Sequence, residues 1–402
     1  MDSCERIALY SHDALGLGHL RRNLAIAGAL AKRETGHATL LVTGAREAGV
    51  FPMPPGTDCL ALPALTKAGG AYRPRSIGMD LDELVRLRSA AIASALVEFD
   101  PDVLIVDKRA LGVRKELRPA LEMLRERGHT RLVLGLRDVL DSPSEVRREW
   151  SAGGDADAAR EYYDALWIYG DPQVYDVAVE CGLEEELQDR ICYSGYLARQ
   201  HEPREKRYTE LRALQLEDHP FALCLVGGGQ DGHLLADAFA HAAFPPGLLG
   251  VIVTGPFMPQ SERHHLHRIA ELRGNLRVVE FIKDPTLLMR LAESVVAMGG
   301  YNTVCELLTS GARTLIAPRT SPRREQLIRA ERMAQLGVLD MVRPENLRPS
   351  VLSRWIAGED GCDRDARARV DLDGLRRLPA LLDDLVGTEE AVDPEPLYAG
   401  VA

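Results

Sequence analysis

The fold is indicated most directly by Ser294-Val295-Val296-Ala297-Met298-Gly299-Gly300-Tyr301-Asn302-Thr303-Val304-Cys305-Glu306. The first four residues of this stretch form an apolar run typical of a short buried strand, and the residues from Thr303 to about Ser310 favour a helix. Gly299 and Gly300 stand between the two. Glycine lets a ligand approach the backbone closely, and the N–H groups and dipole of a helix N-terminus favour an anion. The stretch therefore predicts one unit of a parallel α/β sheet with an anion site at its turn.

The same strand–turn–helix unit recurs on both sides of a polar, charged segment. Before that segment, apolar runs predict strands at 6–10, 37–43, 59–62, 102–107, 131–136, 165–169 and 190–194. After it, they predict strands at 221–226, 248–254, 276–281, 294–298 and 314–317. Strands that alternate with helices indicate parallel sheets with helices on both faces.

This alternation predicts an α/β protein of two Rossmann-like, doubly wound parallel-sheet domains that face a cleft. We place the N-terminal domain at 1–199, the linker at 200–218, the C-terminal domain at 219–387 and a loose tail at 388–402. Ligands in such sheets bind beyond the carboxyl ends of the strands. Functional residues are therefore expected in the turns that follow the strands.

Composition narrows the class of protein. The 402 residues are 46% hydrophobic and 27% charged, with a net charge of −11, which argues against a general nucleic-acid-binding protein. Seven scattered cysteines show no zinc-ligand spacing, which favours a reduced, cytoplasmic compartment. Neither a signal-peptide core nor an apolar run of about 18 residues occurs, so we expect no export signal and no transmembrane segment.

The turn after the first strand, Gly16-Leu17-Gly18-His19-Leu20-Arg21-Arg22, presents His19 at the start of a helix. It is not a dinucleotide fingerprint, because Arg21 stands where a third glycine belongs and no acid ends the second strand at Thr43. A helix dipole lowers the pKa of a nearby histidine, and a neutral imidazole over a cleft can serve as a general base. The alternative is a histidine that caps the helix or packs against it.

A second glycine turn, Gly227-Gly228-Gly229-Gln230-Asp231, follows a predicted strand and opens a helix. Three glycines suit the close approach of a phosphate to backbone N–H groups. The turn is not a P-loop, since no Gly-Lys-Ser/Thr follows. The alternative is a tight structural turn in which Asp231 caps the helix.

Two further turns carry carboxylates. Glu306 can accept two hydrogen bonds from a ribose diol, but Thr303 and Glu306 also have the spacing of a helix capping box. Glu325 and Gln326 follow an arginine-rich turn, and their carboxylate and amide groups suit sugar hydroxyls. The alternative is that Glu325 only complements the helix dipole, with the arginines forming a solvated face.

Taken together, these four stretches resemble the GT-B glycosyltransferases of family 28 and their kin, such as the N-acetylglucosaminyltransferase that makes lipid II. The resemblance spans nearly the whole chain and is most specific from 281 to 330. The pattern of Gly16, Gly18, His19 and Arg22 is also similar to that of a nucleotide-sugar hydrolase of pseudaminic acid biosynthesis.

The resemblance implies a role for each of these residues. The C-terminal domain would bind a nucleoside diphosphate sugar, with UDP preferred over TDP or GDP, and the N-terminal domain would bind an acceptor. His19 would be the catalytic base or a phosphate-side group. The implied donor-binding residues are Arg199, Gly227, Gly228, Gly229, Gln230, Ile282, Gly299, Gly300, Asn302, Thr303, Glu306, Glu325 and Gln326. The residues implied on the acceptor or phosphate side are Gly16, Gly18, Arg22, Asp107, Arg137 and Asp138.

The implied activity is transfer of an N-acetylhexosamine or hexose to a hydroxyl of a small-molecule or glycan acceptor, with inversion and without a metal or cofactor. Asp155-Ala156-Asp157 has the spacing of a metal motif but lies in a polar, Gly/Ala-rich stretch. A nucleotide-sugar hydrolase, an epimerase and a non-catalytic nucleotide-sugar-binding protein stay open as alternatives. Tyr301-Asn302 stands where the lipid II enzyme has a turn of small residues, and Glu325 stands where it has a glutamine. These differences leave the identity of the transferred sugar open. The basic loop 65–78 is not strongly apolar, so only weak membrane association is compatible with it.

Overall fold

The computed structural model of the protein describes residues 5–12, 17–33, 36–68, 71–183, 185–199, 208–217, 219–282, 284–359 and 368–387. Gly16, residues 200–207 and 218 of the predicted linker, and the tail 388–402 lie outside the described residues.

Strands and helices alternate along the described chain. The strands are β1 (Glu5–Ser11), β2 (His37–Thr43), β3 (Thr57–Ala61), β4 (Leu65–Ala68), β5 (Ala71–Pro74), β6 (Val103–Asp107), β7 (Arg131–Arg137), β8 (Ala165–Tyr169), β9 (Ile191–Tyr193), β10 (Phe221–Leu225), β11 (Leu249–Val253), β12 (Leu276–Val279), β13 (Ser294–Ala297), β14 (Arg313–Ile316) and β15 (Asp340–Met341). The helices are α1 (Gly18–Leu30), α2 (Leu81–Phe99), α3 (Arg118–Arg127), α4 (Pro143–Gly153), α5 (Asp155–Tyr162), α6 (Val177–Cys181), α7 (Glu185–Gln188), α8 (Tyr208–Ala213), α9 (His233–Ala240), α10 (Gln260–Arg273), α11 (Thr286–Leu291), α12 (Tyr301–Ser310), α13 (Glu325–Gln335), α14 (Pro349–Ile356) and α15 (Gly374–Gly387).

Two parallel sheets organise the chain. The N-terminal sheet has the strand order β3-β2-β1-β6-β7-β8-β9, and the C-terminal sheet has the order β12-β11-β10-β13-β14-β15. Every residue of β6, β8 and β10 is buried, as expected for strands covered on both faces. In each sheet the strand order reverses once, between β1 and β6 and between β10 and β13. A crevice opens at such a reversal, beyond the carboxyl ends of the two strands. This positions one candidate site in each half.

The final helix returns to the N-terminal half. We assign 374–387 to the C-terminal domain from the sequence, whereas α15 packs against α1. Leu197 and Asp373 form an isolated antiparallel bridge, and the N–H of Tyr196 donates to the carbonyl of Asp371 at 2.8 Å. The C-terminal segment thus lies beside the chain that enters the linker, and its contacts tie the two halves together.

Several predicted elements differ from those observed. The predicted loop 65–78 contains an antiparallel hairpin, β4–β5. After β6, Arg114 and Lys115 lie in the left-handed region within a 3-10 turn, and helix α3 begins only after that turn, at Arg118. Asp155 and Asp157 lie in α5, a helix that the sequence analysis missed, and Asp155 pairs with Arg109.

The described residues contain neither a membrane-spanning helix nor a cluster of metal-ligating side chains. No described helix combines the length and the apolarity needed to cross a membrane. Within the described ranges, no group of three or more His, Cys, Asp or Glu side chains is placed to hold a metal ion.

Candidate functional site

His19 and Asp107 meet at the crevice of the N-terminal half. His19 lies in the first turn of α1, and Asp107 is the last residue of the neighbouring strand β6. Nδ1 of His19 lies 2.6 Å from Oδ2 of Asp107. Because an ionised carboxylate can only accept, we assign the proton to Nδ1, which leaves Nε2 as a hydrogen-bond acceptor. A histidine held in this tautomer is arranged to take up a proton.

The charges around this pair keep Asp107 ionised. Burial alone would raise the pKa of Asp107, but the charges and hydrogen bonds of Arg22 and His19 hold it well below its usual range. Nη2 of Arg22 donates to both carboxylate oxygens, at 2.7 and 2.6 Å. Burial lowers the pKa of His19, while Asp107 opposes that shift. The imidazole is therefore neutral at neutral pH, the state that a general base requires.

His12 is a neighbour of this pair that the sequence analysis did not single out. Its ring centroid lies 5.0 Å from that of His19. Burial lowers the pKa of His12 well below its usual range, and the neighbouring imidazole of His19 further disfavours a second positive charge there. Its Nδ1 is buried without a hydrogen-bond partner among the described residues. The only sequence signal is its position directly after β1, at the same sheet edge as Asp107.

Two glycine turns lie side by side in the crevice of the C-terminal half, because β10 and β13 are neighbours. Gly229 has a φ of 90°, and a Cβ there would lie 2.0 Å from the carbonyl oxygen of Thr254. Gly299 has a φ of 86°, and a Cβ there would lie 2.7 Å from Cγ2 of Ile316. Both positions require glycine on steric grounds. The predicted phosphate residues from 227 to 230 and from 299 to 303 therefore share one sheet edge.

Helix α12 begins earlier than predicted. Gly300 is its N-cap residue and Tyr301 its first residue, so Thr303 is inside the helix and the capping-box alternative for Glu306 is wrong. The first N–H groups of a helix have no intrahelical partner, and the N–H of Val304 is the first to bond back, to the carbonyl of Gly300. The N–H groups at 301–303 can thus face an anion.

Glu306 lines a pocket between the two halves. The other residues around this pocket are Arg21, Arg22, Ala25, Leu197, Arg199 and Asn302. Oε1 of Glu306 lies 4.0 Å from Nη2 of Arg21. Burial raises the pKa of Glu306, against the charges of Arg21 and Arg199. A buried carboxylate in a pocket, with no capping role, is placed to accept hydroxyl hydrogen bonds.

Asn302 has a different role from the predicted one. Its side-chain Nδ2 donates to the carbonyl of Gly18 at 2.9 Å, across the cleft. The amide is therefore used in joining α12 to the turn that holds His19, and only its backbone N–H remains for a phosphate. Arg199 makes a similar contact, since Nη2 donates to the carbonyl of Arg21 at 3.3 Å.

Asp138 also departs from its predicted role on the acceptor side. It is fully buried, and its two oxygens accept from Nε and Nη2 of Arg329 at 2.7 and 2.6 Å. Oδ2 also accepts from the hydroxyl of Tyr196 at 2.9 Å. Arg329, which the sequence analysis missed, donates through Nη1 to the carbonyl of Gly299. Asp138 thus anchors the C-terminal glycine turn to the N-terminal half.

Arg319 contacts the two residues that were predicted to bind the sugar, Glu325 and Gln326. Its guanidinium pairs with Asp231 at 2.9 Å and with Oε1 of Glu325 at 3.0 Å, and its N–H donates to Oε1 of Gln326 at 3.3 Å. Asp231 therefore does not cap α9, which begins after Gly232 without a side-chain cap. Burial would raise the pKa of Glu325, but the charges of Arg137 and Arg319 lower it to about 2.

The alternative in which the arginines of this turn form a solvated face is wrong for Arg319 and Arg323, whereas Arg324 is exposed. Arg323 bonds with Nη2 to Glu149 at 2.7 Å and with Nη1 to Asp141 at 3.3 Å, both on the N-terminal half. Ile282, the predicted base-binding residue, lies buried just beyond β12, which is the edge strand of its sheet.

Replacing Glu306 with glutamine tests its place in the pocket. We expect the affinity for a nucleotide-sugar to fall about tenfold or more, because hydrogen bonds to a charged group contribute roughly 1.5–3 kcal/mol. Stability should change little, since the amide keeps the shape of the side chain. Glu293→Gln, an exposed glutamate next to β13, is the matched control. Calorimetric titration measures the affinity, and equal affinities for both variants and the parent protein would contradict the assignment.

Sequence comparison finds distant relatives of this chain. No protein-family model matches it. An uncharacterized glycosyltransferase of Methanosarcina acetivorans is 23% identical over 266 residues, which are 63% of this chain and 63% of that protein. The UDP-N-acetylglucosamine–N-acetylmuramyl-(pentapeptide) pyrophosphoryl-undecaprenol N-acetylglucosamine transferase of Glaesserella parasuis is 23% identical over 150 residues, 37% of this chain and 40% of that one. The match thus spans less than two thirds of these curated relatives.

Several solved structures have a fold similar to that of nearly the whole chain. The calicheamicin glycosyltransferase CalG4 superposes with a TM-score of 0.59 at 17% identity, covering 96% of this chain and 99% of that one. UGT71G1 of Medicago truncatula, complexed with UDP-glucose, gives a TM-score of 0.63 at 12% identity, with 96% and 99% covered. A putative UDP-N-acetylglucosamine 2-epimerase from Listeria monocytogenes gives 0.62 at 13% identity, with 99% and 100% covered. This chain therefore has the GT-B fold, and it resembles the glycosyltransferases and related UDP-sugar enzymes that share it.

Proposed function

We propose that this protein is a glycosyltransferase that uses a nucleoside diphosphate sugar, with UDP as the nucleotide. The observation that carries the proposal is the contact between Asn302 and the carbonyl of Gly18. It joins the first turn of α12, a site for an anion, to the turn that presents the neutral His19. A donor diphosphate and a general base would therefore face each other across one cleft. Three of the similar proteins are named for a UDP-sugar substrate or contain bound UDP-glucose, which supports UDP as the nucleotide.

The chemistry follows from these positions. Nε2 of His19 takes the proton of an acceptor hydroxyl while its oxygen attacks the anomeric carbon of the donor sugar. The bond from that carbon to the diphosphate breaks, and the developing charge is stabilised by the N–H groups at the start of α12 and by Arg199. One displacement at the anomeric carbon inverts its configuration. We propose a hexose or an N-acetylhexosamine as the transferred sugar, held by Glu325 and Gln326, and positive groups of the chain in place of a metal.

Product analysis tests this proposal. The protein is incubated with UDP-glucose or UDP-N-acetylglucosamine and a panel of hydroxyl acceptors, with and without EDTA. We expect UDP and a glycosylated acceptor to form in equal amounts, with EDTA having no effect. Activity that EDTA abolishes and manganese restores would contradict the mechanism.

A hydrolase or an epimerase is the second candidate, favoured by the 2-epimerase likeness over the whole chain. In a hydrolase, the His19–Asp107 pair would activate water in place of an acceptor hydroxyl. Free sugar formed at the same rate with and without acceptors would favour hydrolysis, and an isomeric nucleotide-sugar would favour epimerisation. If the protein bound the nucleotide-sugar without turnover, and if a His19 variant bound it equally well, the protein would be a non-catalytic binding protein.

The pH dependence of activity follows from the state of His19. Burial lowers its pKa below the ordinary value of about 6.5. A base must be unprotonated, so kcat/KM should decline at low pH with a midpoint below pH 6.5. A rate profile from pH 4 to 9 at constant ionic strength measures this midpoint. A midpoint above pH 6.5 would contradict a depressed pKa for the base.

A further inference from the structure

Two cations at the carboxyl ends of β6 and β7 lack an ion-pair partner within 4 Å among the residues that the structure describes. Lys108 follows Asp107 directly, and Arg137 is the last residue of the neighbouring strand β7. Both side chains are largely buried. Among the described residues neither makes a side-chain hydrogen bond or an ion pair within 4 Å, and Nε of Arg137 is buried without a partner. We call Lys108 and Arg137 the cation pair.

The carboxylates whose charges reach the cation pair are bonded to other arginines, Glu325 to Arg319 and Asp138 to Arg329. Arg109 is compensated by Asp155 at 2.8 Å, and Arg323 by Glu149 at 2.7 Å. Burial, together with the charges of Arg137, Arg323 and Arg109, lowers the pKa of Lys108 well below its usual range. Burial likewise lowers the pKa of Arg137 to about 10. Holding such groups without a partner costs free energy, which is a sign that a function retains them.

The backbone at Lys108 is also unusual. Its φ of 74° lies in the left-handed region, which a residue with a side chain rarely adopts. The N–H of Lys108 donates to the carbonyl of Gly135 at 2.8 Å, which fixes this conformation. Backbone strain of this kind persists where the surrounding structure imposes it, and it is found often at ligand sites.

The cation pair borders the proposed sugar site. The negative charge of Glu325 acts to raise the pKa of both Lys108 and Arg137, against the effect of burial. Oε1 of Glu325 bonds to Arg319, while Oε2 is buried without a hydrogen-bond partner among the described residues. Glu325 comes from the C-terminal half, whereas the cation pair stands on the N-terminal half, on strand ends beside the His19–Asp107 pair. A group that contacts the cation pair would therefore lie between the donor sugar and the acceptor half.

We propose that Lys108 and Arg137 bind an oxyanion, a phosphate or a carboxylate, that the acceptor carries near its reacting hydroxyl. This inference rests on the proposed glycosyl transfer and adds the chemical class of the acceptor. An oxyanion would supply the missing counter-charge for both cations through charge-assisted hydrogen bonds. It would also orient the acceptor hydroxyl toward His19.

Inorganic phosphate is the first probe. The protein is saturated with UDP, so that the donor diphosphate site is filled, and thermal unfolding is followed in phosphate and in chloride at equal ionic strength. We expect phosphate to raise the unfolding temperature of the parent protein. Lys108→Met should bind phosphate about tenfold more weakly or worse, since a charge-assisted hydrogen bond is lost. Arg86→Met, which removes an exposed arginine of α2, is the matched control and should respond like the parent.

The same variant separates a binding role from a structural one. In chloride without phosphate, Lys108→Met should unfold at a higher temperature than the parent, because an uncompensated buried charge has been removed. A lysine that stabilises the fold would give the opposite change. Equal phosphate responses in Lys108→Met and the parent, or no response in the UDP-bound parent, would overturn the proposal. Failure of UDP itself to bind would contradict the proposed function instead, and it is measured first.

Organic probes identify the source of the oxyanion. Glucose 6-phosphate and glucuronate are compared with neutral glucose, each added to the UDP-bound protein. A response to the phosphate ester alone assigns a phosphorylated acceptor, and a response to glucuronate alone assigns a carboxylate. UDP-glucuronate that binds more tightly than UDP-glucose, with the difference lost in Lys108→Met, would place the oxyanion on the donor and overturn the proposal.

Discussion

Replacing His19 with alanine is expected to lower kcat by about 10²- to 10⁴-fold, the range that general-base catalysis supplies. The affinity for the nucleotide-sugar should stay within about threefold of the parent value, because the imidazole faces the acceptor hydroxyl and not the diphosphate. His267→Ala, which removes an exposed histidine from α10, is the matched control and should keep full activity. Steady-state kinetics and a separate donor titration measure the two effects.

Asp107→Asn tests how His19 is held. An amide can present its N–H group to Nδ1, which would favour the tautomer with the proton on Nε2 and leave no base toward the acceptor. The loss of kcat should therefore approach that of His19→Ala, although the imidazole is still present. If the His19→Ala variant kept nearly full activity, or if the change raised KM without lowering kcat, the role of His19 as the base would be contradicted.

The second large effect is expected for Arg329→Leu. This change leaves the carboxylate of Asp138 buried without its partner and removes a donor to the carbonyl of Gly299. Breaking a buried ion pair from one side costs about 3–5 kcal/mol, so the free energy of unfolding should fall by that amount. Chemical denaturation monitored by circular dichroism measures it.

Arg332→Leu is the matched control, three residues along the same helix. Arg332 is 41% exposed and pairs with Glu180 at the surface, where an ion pair contributes about 0–1 kcal/mol. The double variant Asp138→Leu/Arg329→Leu should recover much of the loss, because no buried charge remains. Equal losses for the two arginine variants would show that the pair with Asp138 does not stabilise the protein.

The sheet architecture could be predicted because short, local sequence patterns specify its strands and turns. Apolar runs such as 103–107 and 221–225 are buried strands, and the glycines at 227–229 and 299–300 follow strands at one sheet edge. These predictions depend on residues that are close in sequence. The contact between His19 and Asp107 was not predicted, because it depends on β1 and β6 being neighbours in the sheet.

The contacts across the cleft could not be predicted in this way. Arg329 and Arg332 stand three residues apart on one helix and look alike in sequence, yet one is buried against Asp138 and the other is exposed. Asn302 donates to a carbonyl 284 residues away. Such contacts depend on how the two halves pack, which no local pattern specifies. Lys108 was not singled out for a related reason, because only the three-dimensional structure shows that it has no ion-pair partner within 4 Å among the described residues.

The most direct test of the central claim is a thermal unfolding screen against nucleoside diphosphate sugars, with UDP-sugars included. At 100 times the dissociation constant, a bound donor adds about 2.7 kcal/mol to the free energy of unfolding. We expect UDP-sugars to raise the unfolding temperature and Glu306→Gln to reduce the rise at equal ligand concentration. No rise with any UDP-sugar, or a rise that is identical in Glu306→Gln, would contradict a donor site at the start of α12.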